Sequence, residues 1–159
     1  MKFEHITEGN TYTTTMDGFT LSSTVDMSKV ADVELAEALI QSIHTLQLAT
    51  HIAAQKWWTD PKTGVDMRDN PLCFSNKMSL LHSEIGEATE GDRKSKVDEH
   101  LPHRPSREVE LADLLIRLGD TCGGFKLDLA GATVEKMGYN AYRADHKIEN
   151  RIAEGGKAY

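Results

Sequence analysis

The chain has 159 residues, of which 39% are hydrophobic and 27% charged, and its 18 basic and 25 acidic residues give a net charge of −7. This length predicts a single domain with a core large enough to fold without disulfides. The acidic balance argues against partners that need clustered positive charge, so we expect neither a nucleic acid nor a membrane as a partner.

No stretch of the sequence is apolar enough for a signal peptide or a membrane-spanning helix. The two cysteines, Cys73 and Cys122, are too few for a disulfide framework and too isolated for a zinc ribbon. We therefore expect a soluble, cytoplasmic protein. A negatively charged protein can still bind a negatively charged ligand when divalent cations lie between the two.

The first 28 residues are rich in Thr and Ser and predict a short β-hairpin or an extended arm. Asp17-Gly18 lies between two runs of β-prone residues, which is a strong signal for a two-residue hairpin turn. Because an isolated hairpin is only marginally stable in water, we expect it to pack on the helical body or on a neighbouring subunit.

Four amphipathic helices are predicted after this arm. Ser28, Ser106 and Asp128 are the expected N-caps of the first, third and fourth helices, and the fourth is expected to run to about Ile148. The helices are defined by apolar residues at helical spacing: Val33, Ala36, Ile40, Ile43, Leu46 and Ala53; Phe74, Met78, Leu81, Ile85 and Ala88; Leu111, Leu114, Leu115 and Leu118; Val134, Met137 and Ala141.

The pattern as a whole predicts an all-α fold with a four-helix-bundle-like core. The expected organisation is an N-terminal arm over residues 1–28, a helical domain over 29–150 and a flexible tail over 151–159.

Two pairs of acidic residues lie on consecutive predicted helices. Glu84 and Glu87 on the second helix, and Glu110 and Asp113 on the third, are each three residues apart and so share one helix face. If the two helices form an antiparallel hairpin, four carboxylates converge, and repulsion and desolvation raise their pKa values. Divalent cations would stabilise such a cluster, whereas two solvated acidic faces would need no ligand.

A polar stripe on the fourth helix adds a second candidate feature. Lys136, Asn140 and Arg143 step by four and three residues, so they lie on one helix face. Two cations and an amide are suited to binding phosphate groups. The alternative interpretation is a solvated surface.

Three segments together carry a family resemblance: NKMSLLHSEIGEATE (76–90), ELADLLI (110–116) and EKMGYN (135–140). In this order they resemble the all-α nucleoside triphosphate pyrophosphatases, the superfamily of MazG-like and dCTPase-like enzymes and of the dimeric dUTPases. The loop DEHLPHRP (98–105) is most similar to a MazG-like branch found in phages and bacteria.

The resemblance implies a nucleotide pyrophosphohydrolase in which Glu84, Glu87, Glu110 and Asp113 ligate Mg²⁺, or Mn²⁺ in its place. Water would attack the α-phosphorus of a (d)NTP and release a (d)NMP and pyrophosphate. The residues implied in substrate binding are Asn76, Lys136, Asn140 and Arg143. The resemblance further implies a homodimer or homotetramer, and some phage members of the family act on guanine nucleotides, which would make (d)GTP the substrate.

Three features leave alternatives open. Many MazG-like proteins have a Glu where this chain has Ser83, so the role of that Glu is not carried over, and Glu90 is either a further ligand or a solvated residue. Trp58 either stacks on the base of the nucleotide or belongs to the core or an interface. The alternative function is a catalytically inactive helical module that binds nucleotides or dimerises.

Overall fold

The structure, a computed structural model, describes residues 2–143 and 147–148. The chain divides into two compact units, one formed by residues 1–45 with 128–159 and the other by residues 46–127. The tail expected over residues 151–159 lies outside the described residues. Within the described part of the chain, no helix is both long and apolar enough to cross a membrane.

The fold is mixed, so the prediction of an all-α protein is wrong. The described residues form four α-helices and a three-stranded antiparallel sheet with the order β1-β2-β3. The strands are β1 (Phe3–Glu8), β2 (Thr11–Met16) and β3 (Phe19–Thr24), and the helices are α1 (Val33–Ala54), α2 (Cys73–Arg93), α3 (Ser106–Gly124) and α4 (Leu129–Tyr142). Short 3₁₀ helices cover Met27–Lys29, Gln55–Trp58 and Met67–Asp69.

The sheet contains the predicted hairpin and one strand that was not predicted. Asp17 and Gly18 have φ angles of 47° and 83° and connect β2 to β3, as expected for a two-residue turn whose residues are both left-handed. The additional strand, β1, pairs with β2 through a turn that contains Gly9, whose φ is 59°. This earlier turn makes the N-terminal region a sheet rather than a hairpin or an arm.

The Thr-rich sequence suits this sheet because its two faces differ. Alternate side chains of β2 and β3 form cross-strand hydroxyl pairs on the exposed face, at 2.9–3.0 Å: Thr11 with Thr24, Thr13 with Ser22 and Thr15 with Thr20. The intervening residues point inward, as the two-residue period of a strand requires. The first unit has a core formed by Tyr12, Val25, Ala36, Ile40, Ala130 and Val134.

Three of the predicted helix ends differ from the structure. Ser106 does not cap α3, because it is the first residue of that helix and Pro105 is the N-cap. Asp32, and not Ser28, caps α1, because its Oδ1 accepts a hydrogen bond from the Leu35 amide at 3.0 Å. Ser28 lies in the preceding 3₁₀ helix. The Asp128 cap of α4 is confirmed by a 2.8 Å bond from the Gly131 amide, but α4 ends at Tyr142 and does not continue to Ile148.

A chain of hydrogen bonds, buried at Thr14, Ser23 and His44, links the sheet to the two helices of the first unit. It contains Asp128, Ser23, His44, Thr14 and His5, with successive distances of 2.5, 2.8, 3.1 and 2.9 Å. The Asp128 carboxylate accepts the single Ser23 hydroxyl proton, so His44 Nε2 donates to Ser23, and His44 Nδ1 accepts from Thr14. The arrangement fixes a neutral His44, and because Ser23 donates to Asp128 it is not an activated nucleophile.

We predict that this histidine makes the stability of the protein sensitive to acid. Burial lowers the pKa of His44, the charge of Asp128 opposes this shift, and His5 adds to it. Because the folded-state pKa lies below the unfolded value of 6.5, the stability is complete above pH 6.5 and falls as the pH drops below it. Urea unfolding should therefore give a smaller free energy of unfolding at pH 5.5 than at pH 7.5.

His44→Gln should reduce this difference between the two pH values, because the side chain at position 44 no longer titrates. His103→Gln is the matched control, since His103 is exposed, and it should keep the wild-type difference. An undiminished difference in His44→Gln would contradict the assignment.

Candidate functional site

The second unit contains an antiparallel pair of helices, α2 and α3. Gly91 lies beside Ser106 near the end of α2 where the connecting loop leaves, and Glu84 lies beside Arg117 further along both helices. The approach at Gly91 is close, since a Cβ atom there would lie 2.7 Å from Ser106 Oγ. This packing brings the two predicted acidic faces together.

Three of the four predicted ligands converge. Carboxylate oxygens of Glu84, Glu87 and Glu110 all lie within 4.8 Å of one another. Asp113 is outside this group of three but lines the same cavity, which has a volume of about 650 Å³. The antiparallel packing of α2 and α3, which the sequence analysis named as the condition for this convergence, is the arrangement that the structure has.

The three glutamates differ in their surroundings. Glu84 is buried, with 5% of its surface exposed, whereas Glu87 is exposed and accepts a 2.8 Å hydrogen bond from Ser83 Oγ. Burial raises the pKa of Glu110, and the charges of Glu87, Glu84, Asp113 and Asp98 raise it further. The hairpin thus holds negative charge that nearby cations do not fully compensate.

One cation is built into the cluster. Arg117 Nε lies 2.7 Å from Glu84 Oε1, and the Arg117 side chain is 44% exposed. Arg117 follows Asp113 by four residues on α3, so the two share a face of the helix. The sequence interpretation missed Arg117, although the spacing ExxDxxxR in residues 110–117 carries the signal.

The loop between α2 and α3 forms one wall of the cavity. Asp98 is buried, and its Oδ1 accepts hydrogen bonds from the backbone amides of His100 and Leu101 at 2.9 and 2.6 Å. Lys96 and His100 line the cavity from this loop. The charges and prolines of this segment predict a loop, but they do not show that its residues line a cavity together with the carboxylates.

Two other predicted positions on α2 have different surroundings from the cluster. Asn76 is exposed in the first turn of α2 and is not among the residues that line the cavity. Glu90 lines the cavity but forms ion pairs with Arg93, at 2.8 Å, and with Lys94. Hydrogen bonds from Lys94 and Arg93 lower the pKa of Glu90. Glu90 is therefore paired with two cations, one in the last turn of α2 and one directly after it.

The predicted phosphate-binding stripe belongs to the first unit. Lys136 Nζ lies 4.6 Å from the centre of the Tyr139 ring, and Arg143 Cζ lies 5.6 Å from it. The Oδ1 atom of Asn140 is buried and has no hydrogen-bond partner among the described residues. Cations beside an exposed aromatic ring and an amide oxygen that can still accept a hydrogen bond make a polar surface on α4.

Trp58, which the sequence left open between base stacking and the core, is buried in the second unit, with 3% of its surface exposed. Its Nε1 donates a 2.7 Å hydrogen bond to Asp120, and its ring contacts Phe125 edge-on. Asp120 also accepts hydrogen bonds from Lys77, at 2.9 Å, and from His51, at 3.1 Å. The structure thus places Trp58 in a core network and not on a surface that a nucleotide base reaches.

The cluster has the donor chemistry that Mg²⁺ and Mn²⁺ prefer, since its ligand atoms are carboxylate oxygens. Glu84, Glu87 and Glu110 could hold such an ion, with Asp113 beside them in the cavity. A positive charge at this position would also relieve the repulsion that raises the pKa of Glu110.

Comparisons with known proteins add no family or relative: no family model matches the chain, and no curated protein and no solved structure matches it.

We predict that Asp120 is a major contributor to the stability of the protein. Burial alone would raise its pKa, but the hydrogen bonds from His51, Lys77 and Trp58 outweigh burial and lower it. Asp120→Ala leaves these donors without their acceptor and should cost about 2–4 kcal/mol in the free energy of unfolding. Urea unfolding at neutral pH measures the loss.

Asp92→Ala is the control for this substitution, because Asp92 forms an exposed ion pair with Arg107. Its loss should cost no more than about 1 kcal/mol. Equal losses in the free energy of unfolding for the two substitutions would show that the buried network around Asp120 stabilises the protein no more than an exposed ion pair does.

We also predict that Glu110 destabilises the metal-free protein. A folded-state pKa above the unfolded value gives stability that is complete at low pH and is lost as the pH rises through the folded pKa. Glu110→Gln removes the charge, so in EDTA at pH 7 it should raise the melting temperature by about 1–3 °C. The gain should vanish near pH 3, where the wild-type carboxyl is also neutral.

Glu108→Gln is the matched control. Glu108 is exposed on the same helix and pairs with Arg104 at 3.4 Å, so its removal should not raise the melting temperature. A lower melting temperature for Glu110→Gln at pH 7 would mean that its charge is compensated in the fold.

Proposed function

We propose that this protein is a metal-dependent nucleoside triphosphate pyrophosphohydrolase that converts a (d)NTP to a (d)NMP and pyrophosphate. The observation that carries the proposal is the convergence of Glu84, Glu87 and Glu110 on one face of the α2–α3 pair. The resemblance to the MazG-like branch, present in the sequence, supports the same function.

The charge of the cavity favours a substrate that brings cations with it. Seven carboxylates line it: Glu84, Glu87, Glu90, Asp98, Glu99, Glu110 and Asp113. A triphosphate alone would be repelled by this wall, whereas a triphosphate that arrives with divalent cations would be attracted to it.

The bound ion would neutralise phosphate charge and lower the pKa of a water molecule for attack at the α-phosphorus. The protein's own contribution is to hold the carboxylate oxygens together and to keep them at the cavity surface. Attack by water breaks the bond between the α-phosphorus and its bridging oxygen, and pyrophosphate leaves. As the sequence resemblance implies, Lys136, Asn140 and Arg143 are proposed as phosphate contacts, and Asn76 is proposed to shape the nucleotide pocket.

A homo-oligomer, dimer or tetramer, is part of the proposal. Its support is a set of apolar residues on α2 and α3 that are each 43–53% exposed: Leu80, Ile85, Leu111, Leu115 and Ile116. Helices that keep apolar residues at the surface of one chain are suited to pairing with a second copy. We propose the same compartment as the sequence suggests, the cytoplasm, which is the host cytoplasm if a phage encodes the protein.

We predict that the purified chain, with Mg²⁺ or Mn²⁺, releases pyrophosphate and a monophosphate from at least one nucleotide in a panel of all canonical NTPs and dNTPs. A (d)GTP preference is the expected result. EDTA should stop turnover, and Glu84→Gln or Asp113→Asn should lower it by at least about 100-fold while leaving the fold intact.

Asp92→Asn is the matched control, because Asp92 is an exposed carboxylate on α2 that does not line the acidic cavity. It should retain wild-type turnover. Nucleotide binding without product from any nucleotide would favour the inactive binding module, and full activity in Glu84→Gln would refute the site.

A further inference from the structure

Arg117 is positioned to interact with both the carboxylates and a phosphate group. Its Nε lies 2.7 Å from Glu84 Oε1, while nearly half of the side chain remains exposed in the cavity wall. A guanidinium carries five N–H donors, and the contact with Glu84 through Nε leaves the terminal nitrogens for other acceptors. Glu84, in contrast, is almost fully buried by its surroundings.

The contact explains how Glu84 is tolerated in a buried position without a metal. A buried carboxylate without a partner is costly, and the carboxylates of Glu87 and Glu110 make the position still less favourable. Arg117 supplies a positive charge at Glu84 Oε1, and Glu84 is one of the three carboxylates that could hold a divalent cation. The arginine and the ion therefore compete for Glu84.

The balance of charges in the cavity also indicates that Arg117 and an ion compete for Glu84. Among the described residues that line it, the permanent cations are Lys96 and Arg117, against seven carboxylates. Of these two, Arg117 is the one that contacts the glutamate cluster. It also follows Glu110 and Asp113 on the same face of α3 and so lies on the side of the helix that carries these carboxylates.

From this geometry we infer that Arg117 is an exchangeable counter-ion: it neutralises Glu84 in the metal-free protein and, when a divalent cation takes its place, it binds a phosphate oxygen of the substrate. The inference rests on the proposed function, because it assigns a second partner to a residue of that site. Arginine suits the exchange, since carboxylate and phosphate oxygens both match the geometry of its N–H groups.

The inference predicts opposite changes in two affinities, and a merely structural ion pair does not. Removing the positive charge in Arg117→Gln should tighten the binding of Mn²⁺ alone by roughly tenfold, because the ion no longer competes with a cation. The same substitution should raise the KM for the nucleotide by roughly tenfold, because a phosphate contact is lost. If Arg117 only held Glu84 in place, Arg117→Gln would weaken the binding of Mn²⁺.

The experiment measures Mn²⁺ binding to the nucleotide-free protein by calorimetry, and KM and kcat with the best nucleotide of the panel. Arg117→Lys keeps a charge and should lie between the wild type and Arg117→Gln in both measurements. Arg104→Gln is the matched control, because Arg104 is an exposed arginine paired with Glu108 outside the acidic cavity, and it should match the wild type.

Thermal melting provides a readout that does not depend on activity. In EDTA, Arg117→Gln should melt below the wild type, since Glu84 loses its counter-ion. In saturating Mn²⁺ this difference should shrink or reverse. A difference that persists in Mn²⁺, or weaker Mn²⁺ binding by Arg117→Gln, would overturn the inference.

These outcomes separate the inference from the proposed function. A wild-type protein that binds Mn²⁺ but hydrolyses no nucleotide would refute the proposed function, and the Mn²⁺ titration of Arg117→Gln would still decide whether Arg117 competes with the ion. A wild-type protein that binds no Mn²⁺ would overturn both. Normal catalysis with weaker Mn²⁺ binding by Arg117→Gln would overturn the inference alone.

Discussion

Repulsion among the carboxylates of α2 and α3 is the constraint around which the second unit is built. Glu84, Glu87 and Glu110 would separate if the helices were free, so other contacts must hold the helices together. One of these is the close approach of Gly91 to Ser106, where the absence of a Cβ allows the helices to meet. The helix pair is therefore fixed near its connecting loop, and the acidic cluster lies further along it.

The second unit also contains a carboxylate, Asp120, whose neighbours are hydrogen-bond donors and not other carboxylates. Asp120 is buried and accepts hydrogen bonds from a tryptophan, a lysine and a histidine, which together lower its pKa. Glu110 has a raised pKa because its neighbours are other carboxylates. A satisfied network such as that of Asp120 stabilises a fold, whereas uncompensated charge is retained at a cost. The contrast favours a structural role for Asp120 and a ligand-binding role for Glu110.

Periodicity predicted the helices well because helix formation depends on local spacing. The Asp17-Gly18 hairpin was equally local, since two left-handed residues define the turn. The first strand was missed because pairing of β1 with β2 depends on a turn at Gly9 that carries a weaker signal. The all-α prediction failed at that point.

The candidate site, like the fold, was predictable where it depends on spacing within one helix and was not predictable where it depends on packing between elements. Spacing within one helix placed Glu84 with Glu87, and an antiparallel pair was enough to add Glu110. Arg117 and the loop residue Lys96 were missed because their relation to the cluster depends on how α2, α3 and their connection pack. The role of Trp58 stayed open because adjacent tryptophans look alike in sequence, although Trp58 is 3% exposed and Trp57 is 66% exposed.

The net charge of −7 takes on a specific meaning in this setting. A cavity lined by seven carboxylates and two permanent cations, counted over the described residues, cannot attract a polyanion by its own field. If every carboxylate were balanced by a fixed arginine or lysine, a divalent ion would have no free oxygen to bind. An exchangeable arginine avoids both difficulties, because it keeps Glu84 compensated without a metal and adds a positive charge for the phosphate once a metal replaces it.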